Sequence, residues 1–409
     1  MKKQALILSL FCFALFQLQA QNSAPAKSKV QIEAVKEFPK SVIDSVKKRY
    51  PGTTGPGKPI TGSFFGGHVA FWSYDYDITP ENQHEYATGS VVKSGLIPNI
   101  KPIWDICMRD AVIILGGDGN YYLTGSTGRN IWSNNDGVEL YRSKDLKKWD
   151  YVGLVWSIEK DGGWEKSWRT RHNRPVRSVW APELHYIRNN YYIAFSMPPG
   201  GIAILKSTTG KPEGPYVHAT NPDKPLLGGI GPLETSYLID PTLFEDDDHK
   251  VYFSYGGGSF IARMKDDLSD FAEPLRKITF KTIDTDSTHH SVWACKKNHY
   301  KDFGYEGVTI FKRNGVYYLG STDHYQGRYS MMMASSKNIY GPYEGRYEAV
   351  PCNGGTNFFK TKKGEWFTCF FGDDNQAPWR EKPGIIKVVF DQNGKIKIAD
   401  KQPDFILNK

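Results

Sequence analysis

The stretch AVIILGGDGNYYLTG, from Ala111 to Gly125, holds the pattern on which the fold turns. An apolar run meets a polar turn, and a second run follows that is built on a tyrosine pair. The same order returns four times: ELHYIRNNYYIAFSM (183–197), TLFEDDDHKVYFSYG (242–256), VTIFKRNGVYYLGST (308–322) and TNFFKTKKGEWFTCF (356–370). The turns read DGN, RNN, DDDHK, RNG and KKGE, which is hairpin chemistry. A hairpin repeated at roughly 50 to 70 residues implies radial repetition of four-stranded blades. The predicted fold is therefore all-β, a five-bladed β-propeller of antiparallel blades around a central axis. Acids stand just before, or at the start of, the first four copies: Asp110, Glu183, Asp240 and Glu306. In such a ring these strand starts converge on the axis.

Outward from the hairpins, each copy is followed by a strand, a polar excursion and a closing strand. The ranges are 138–153, 202–217, 260–271, 329–344 and 384–398. Together they supply the second half of each blade. Long inserts at 156–177 and 277–303 precede acid-bearing strands and are placed to wall a site on the rigid scaffold. Ahead of the repeats lie a polar stretch and a Gly/Pro/Thr-rich segment. Within it HVAFWSYDY (68–76) reads as an early strand able to close the ring by pairing with the last blade. The domain plan is a leader over 1–20, an entry segment over 21–67 and the propeller over 68–409.

The leader has the layout of a secretory signal: Lys2 and Lys3, an apolar run from Ala5 to Phe16, and Leu18-Gln19-Ala20 before Gln21. The run is too short to remain across a bilayer. A secreted or periplasmic chain without a membrane span is expected. Cys107, Cys295, Cys352 and Cys369 would remain, and four cysteines allow three pairings. Cys352 and Cys369 flank the fifth hairpin and could pair, with buried thiols as the equal alternative. Aromatic residues make up 14% of the chain, which suits strands and also the stacking of rings on sugar faces. The net charge of +8 is modestly basic. It leans toward an anionic glycan such as a uronate or sulfate ester, an ordinary lysine-rich surface being the alternative. No basic run dense enough for nucleic acid is present.

RDAVIILGGDGNYYLTGS, WAPELHYIRNNYYIAFS, IDPTLFEDDDHKVYFSYGG, YEGVTIFKRNGVYYLGS and YRSKDLKKWDYVG, in this order, resemble glycoside hydrolase family 43 from about Trp104 to Ile398. The resemblance implies an inverting glycosidase of the β-xylosidase or α-L-arabinofuranosidase type acting on plant or algal polysaccharide. It implies Asp110 as the base on water, Asp240 as the group that tunes and holds the acid, and Glu306 as the acid that protonates the leaving oxygen. Asp105 competes with Asp110, while Asp118 reads as a turn residue. Glu183 is expected near the sugar as a fourth acid at the same blade position. Trp180 is a stacking platform or a core ring, and Arg328 a ligand of sugar hydroxyls or a salt bridge. His185 is left unassigned. The Asp-Pro usual at the base is Asp110-Ala111 here.

No cofactor is required by this reading. NGGTNFF (353–359) lacks the histidine that in the family helps hold a central calcium, so that metal is in doubt. Asp246, Asp247 and Asp248 form a solvated turn without calcium-loop spacing. His289 and His290, being adjacent, face opposite ways in a strand. Two rival functions remain open: a related propeller glycosidase acting on a galactose-type or other sugar, and a non-catalytic glycan-binding propeller.

Overall fold

The structure, a computed structural model, describes residues 95–408 except 105–107, 128–134, 136, 170–175, 199, 229–237, 259, 282–302, 327, 374–376 and 380. The expected leader, entry segment and early strand over 68–76, with Asp105, Cys107, Cys295, His289 and His290, lie outside the described residues. Every described residue belongs to one unit of the chain, Lys36–Lys409.

Five four-stranded antiparallel sheets follow one another along the chain. The first holds β1 (Arg109–Leu115), β2 (Tyr121–Ser126), β3 (Gly137–Ser143) and β4 (Asp150–Ser157). The second holds β5 (Trp180–Ile187), β6 (Asn190–Met197), β7 (Gly201–Ser207) and β8 (Tyr216–His218). The third holds β9 (Thr242–Glu245), β10 (Val251–Tyr255), β11 (Phe260–Arg263) and β12 (Arg276–Lys277). The fourth holds β13 (Glu306–Arg313), β14 (Val316–Tyr325), β15 (Arg328–Ser336) and β16 (Glu344–Val350). The fifth holds β17 (Gly354–Lys360), β18 (Trp366–Phe371), β19 (Pro383–Phe390) and β20 (Ile396–Ile398). The first strands touch in the circular order β1, β5, β9, β13, β17 and back to β1, so the sheets are blades of a closed five-bladed propeller. No helix among the described residues is long and apolar enough to cross a membrane.

One expectation needs correction. The closing strand of the third blade is Arg276–Lys277; Phe271 makes only an isolated bridge to Met264. The fifth blade has four consecutive strands of its own, as the repeat implies. The ring is latched by the segment before β1, where Ile100 bridges to Leu407 and the Lys101 amide donates to the Ile406 carbonyl at 2.8 Å. Cys352 and Cys369 are both buried thiols, so the alternative to pairing holds.

The tyrosine pairs have a physical reason. Second strands are covered on both faces, and β2 and β10 are buried along their whole length. The hydrophobic clusters accordingly lie between neighbouring blades: one joins Leu140 and Trp156 to Phe195 and Leu205, another Tyr192 and Ile204 to Phe253. The first ring of a pair reaches back to the hairpin turn of the preceding blade. Tyr191 Oη accepts from the Gly117 amide at 2.9 Å, Tyr121 Oη accepts from the Lys362 amide at 3.0 Å, and Tyr317 Oη donates to Asp246 at 2.6 Å. Buried hydroxyls are thus satisfied while adjacent sheets are tied. Asp246 also meets Lys312 at 2.6 Å, so this expected solvated turn is pinned to the fourth blade.

Near the axis every junction between blades carries a hydrogen bond that no ladder could supply. Thr124 Oγ1 accepts from Leu184 N at 3.2 Å, His185 Nε2 from Leu243 N at 3.4 Å, Gly256 O from Val308 N at 3.0 Å, and Thr322 Oγ1 from Gly355 N at 3.1 Å. At the last junction the Asn357 amide imitates a backbone unit: Oδ1 accepts from Ile113 N at 3.1 Å and Nδ2 donates to Ile113 O at 2.7 Å. Asn357→Ala is expected to cost roughly 1–3 kcal/mol, because two backbone groups lose their partners. Calorimetry should show a lowered melting midpoint; an unchanged one would contradict the staple.

Candidate active site

Each inner strand begins with one residue in the left-handed region: Asp110 (φ 52°), Ala181 (φ 46°), Asp240 (φ 53°), Gly307 (φ 67°) and Gly355 (φ 42°). At the same place strand pairing skips, between Arg109 and Val112, Trp180 and Glu183, Glu306 and Thr309, and Gly354 and Asn357. A bulge re-aims the side chains around it. Aligning the blades on the left-handed residue corrects the expectation that the acids share one position. Asp110 and Asp240 occupy the left-handed position itself, Asp110 within its bulge and Asp240 two residues ahead of β9. Glu306 stands one residue before that position, beside Arg109 and Trp180 in the equivalent place. Glu183 stands two residues after it.

The structure brings these four acids together. Ser126 Oγ donates to Asp110 Oδ2 at 2.6 Å and accepts from Ala181 N at 2.8 Å, so the second blade's backbone orients the hydroxyl that holds Asp110. Asp240 Oδ2 accepts from Gly307 N at 2.8 Å and so grips the backbone next to Glu306. Tyr329 Oη bonds Glu306 Oε1. Glu183 Oε2 lies 3.2 Å from His185 Nε2, two residues along the same strand face.

The sequence reading missed four participants. Arg109 is buried, with Nη1 2.7 Å from Asp373 and 2.9 Å from Glu381, and Nη2 3.7 Å from Glu306 Oε1. Its guanidinium lies 4.2 Å from the centre of the Phe371 ring. Asp373 and Glu381 come from the segment after β18, over 260 residues along the chain, and no local pattern announces them. Tyr329 follows the singled-out Arg328 and was overlooked. Arg328 itself makes an ion pair with Glu348, its Nε 2.7 Å from Oε1. Trp180 is half-buried at the position equivalent to Glu306. Asp118 accepts from Tyr122 Oη at 2.7 Å in the first hairpin, as a turn residue does.

Burial dominates the electrostatics. It pushes Glu306 up to about 7; Arg109 and the Tyr329 hydroxyl oppose this, while Asp110 and Asp373 add to it. Burial also raises Asp110, against Arg109 and Ser126, with Asp373 and Glu183 adding. Asp240 is held well above the carboxylate range by burial and by repulsion from Asp110 and Glu306, which the Gly307 amide only partly offsets. Arg109 loses hydration on burial, but Glu381, Asp373 and Asp110 more than restore its charge. The site is thus a group of mutually repelling acids around one buried guanidinium, in which Glu306 keeps 18% of its side chain exposed. It can give a proton on one side and take one on another.

The model of glycosyl hydrolases family 43 matches residues 100–396, and the chain belongs to this family. It is 28% identical over 198 residues to a β-D-galactofuranosidase of Aspergillus niger, covering 46% of this chain and 48% of that one. It is 26% identical over 207 residues to a xylosidase/arabinosidase of Humicola insolens, covering 41% and 57%. The chain thus spans about half the length of these curated relatives. A solved endo-1,4-β-xylanase from Bacteroides thetaiotaomicron shares the fold with a TM-score of 0.53 at 23% identity, over 76% of this chain and all of that one.

A stability consequence follows from the sign of the Glu306 shift. Between its ordinary 4.5 and about 7, the folded chain keeps a proton that the unfolded chain releases. Stability owed to this group therefore falls as pH climbs through that window, by up to about 3 kcal/mol. Glu306→Gln escapes the loss. It is expected to melt above wild type near pH 8 and level with it near pH 4. A difference independent of pH would contradict the shift.

Proposed function

We propose that the protein is an exported, inverting exo-glycosidase that removes a terminal pentose, β-xylose or α-L-arabinofuranose, from a glycan. One observation carries the chemistry: Asp110, Asp240 and Glu306, from three blades, converge on one site, Asp110 held by Ser126, Asp240 gripping the Gly307 amide beside Glu306, and Glu306 bonded by Tyr329. The family and the names of the relatives support the sugar class, and the Lys2–Lys3 start with its apolar run supports export.

In this reading Glu306 gives its proton to the glycosidic oxygen as the C–O bond breaks. Asp110 takes a proton from the water whose oxygen bonds to the anomeric carbon from the opposite face. Inversion needs acid and base carboxyls roughly 6.5 to 9.5 Å apart to leave room for that water. Asp240 keeps Glu306 in place through the Gly307 amide, and the charge the two acids share favours a protonated acid at neutral pH. Trp180, equivalent to Glu306 in its own blade, offers a ring to a sugar face, with Glu183 nearby as a hydroxyl acceptor. Arg328 is paired with Glu348, the salt-bridge alternative for that residue. A galactofuranoside is the second reading, since one relative carries that activity in its name.

The test is release of nitrophenol from β-D-xyloside, α-L-arabinofuranoside and β-D-galactofuranoside by wild type and Glu306→Ala. One glycoside should be turned over, and the variant should lose about 100-fold or more. Turnover retained by Glu306→Ala would overturn the assignment. For wild type, kcat/KM is expected to rise as Asp110 ionises and to fall as pH passes about 7, where Glu306 loses its proton. A profile flat through that pH would contradict it.

A further inference from the structure

Arg109 and Glu306 hold the same position in blades that are not neighbours. The fifth blade stands between them, and there the equivalent residue is Gly354, followed by Gly355. A Cβ on Gly354 would overlap the Tyr329 ring, and one on Gly355 would lie 2.7 Å from Asp110 Oδ1. The glycine pair therefore leaves room for the Tyr329 and Phe371 rings and for Asp110. Beside those rings the Arg109 guanidinium lies over Phe371 and comes within 3.7 Å of Glu306 Oε1, and Tyr329 bonds the same oxygen. A lone guanidinium there would favour ionised Glu306 and disable an acid. The fifth blade supplies the remedy from the end of β18 onward: Phe371 under the guanidinium, and Asp373 and Glu381 on its Nη1.

We propose that Arg109 is a positioning residue that holds the Glu306 carboxyl, and that Asp373, Glu381 and the Phe371 ring occupy its guanidinium so that it does not strip the Glu306 proton. The proposal rests on Glu306 being the acid. The charged and titratable groups around Glu306 are Arg109 and Asp110 from the first blade, Asp240 from the third, Tyr329 from its own, and Asp373 with Glu381 from the fifth; Glu183 of the second acts on Asp110 and Asp240. Asp373 itself repels the charge on Glu306, so its loss acts twice in one direction.

The experiment is a pH titration followed by infrared difference spectroscopy of Asp373→Asn and Glu381→Gln, each first shown to be folded by circular dichroism. The Glu306 carboxyl band is the one missing in Glu306→Gln. Its midpoint should fall by about one unit in either variant, with the alkaline limb of kcat/KM moving down alongside it. An unmoved midpoint in folded variants would overturn the proposal and leave the cluster a structural tie. Should one variant fail to fold, the other decides. Full turnover by Glu306→Gln would instead overturn the acid assignment, so the two failures are distinguishable.

Discussion

The left-handed residue at the head of each inner strand is the constraint on which the site depends. Outside glycine this conformation costs about 1–2 kcal/mol and persists only where its surroundings over-determine it. Asp110, Ala181 and Asp240 all bear that cost. Hydrogen bonds across blade junctions hold the bulges: Ser126 to Ala181, Asp240 to Gly307 and Thr322 to Gly355. The same atoms position the acids. Ser126 holds Asp110 with the proton it does not need for Ala181, and Asp240 grips the residue after Glu306. Scaffold and site are therefore one network, and a change to either is felt in both.

Electrostatics work in the opposite direction. Six carboxylates share this region with the Arg109 guanidinium, and burial penalises every ionised one. The apolar clusters between blades and the tyrosine hydroxyls that bind neighbouring turns supply the stability that lets the ring tolerate it. The proposed acid, Glu306, and the proposed base, Asp110, both keep an edge open to solvent.

The fold was legible because hairpins are local: turn residues and alternating apolar runs mark them without knowledge of partners. The acids of three blades were legible too, since each opens a copy of the repeat. Their inequivalence was hidden, because a bulge shifts side-chain direction without altering residue type. RDA, WAPE, DP, EG and GG carry that signal only once the left-handed residues are aligned. The Asp373–Glu381 clamp had no signal, because it meets Arg109 only through closure of the ring. Gly354-Gly355 was read for a histidine it lacks, whereas its missing side chains are what make room for Tyr329, Phe371 and Asp110. The third blade's last strand was displaced because only two residues pair there, too few to form a pattern.

In the proposed reaction Asp110 delivers water to the face of the sugar opposite the bond that Glu306 protonates. Proton NMR of the sugar released in the first minutes, from whichever nitrophenyl glycoside is turned over, tests it most directly. The first anomer formed should have the configuration opposite to that of the substrate, with the other growing in by mutarotation. A first-formed anomer of retained configuration would contradict it, since it would require a carboxylate to bond the sugar rather than direct a water.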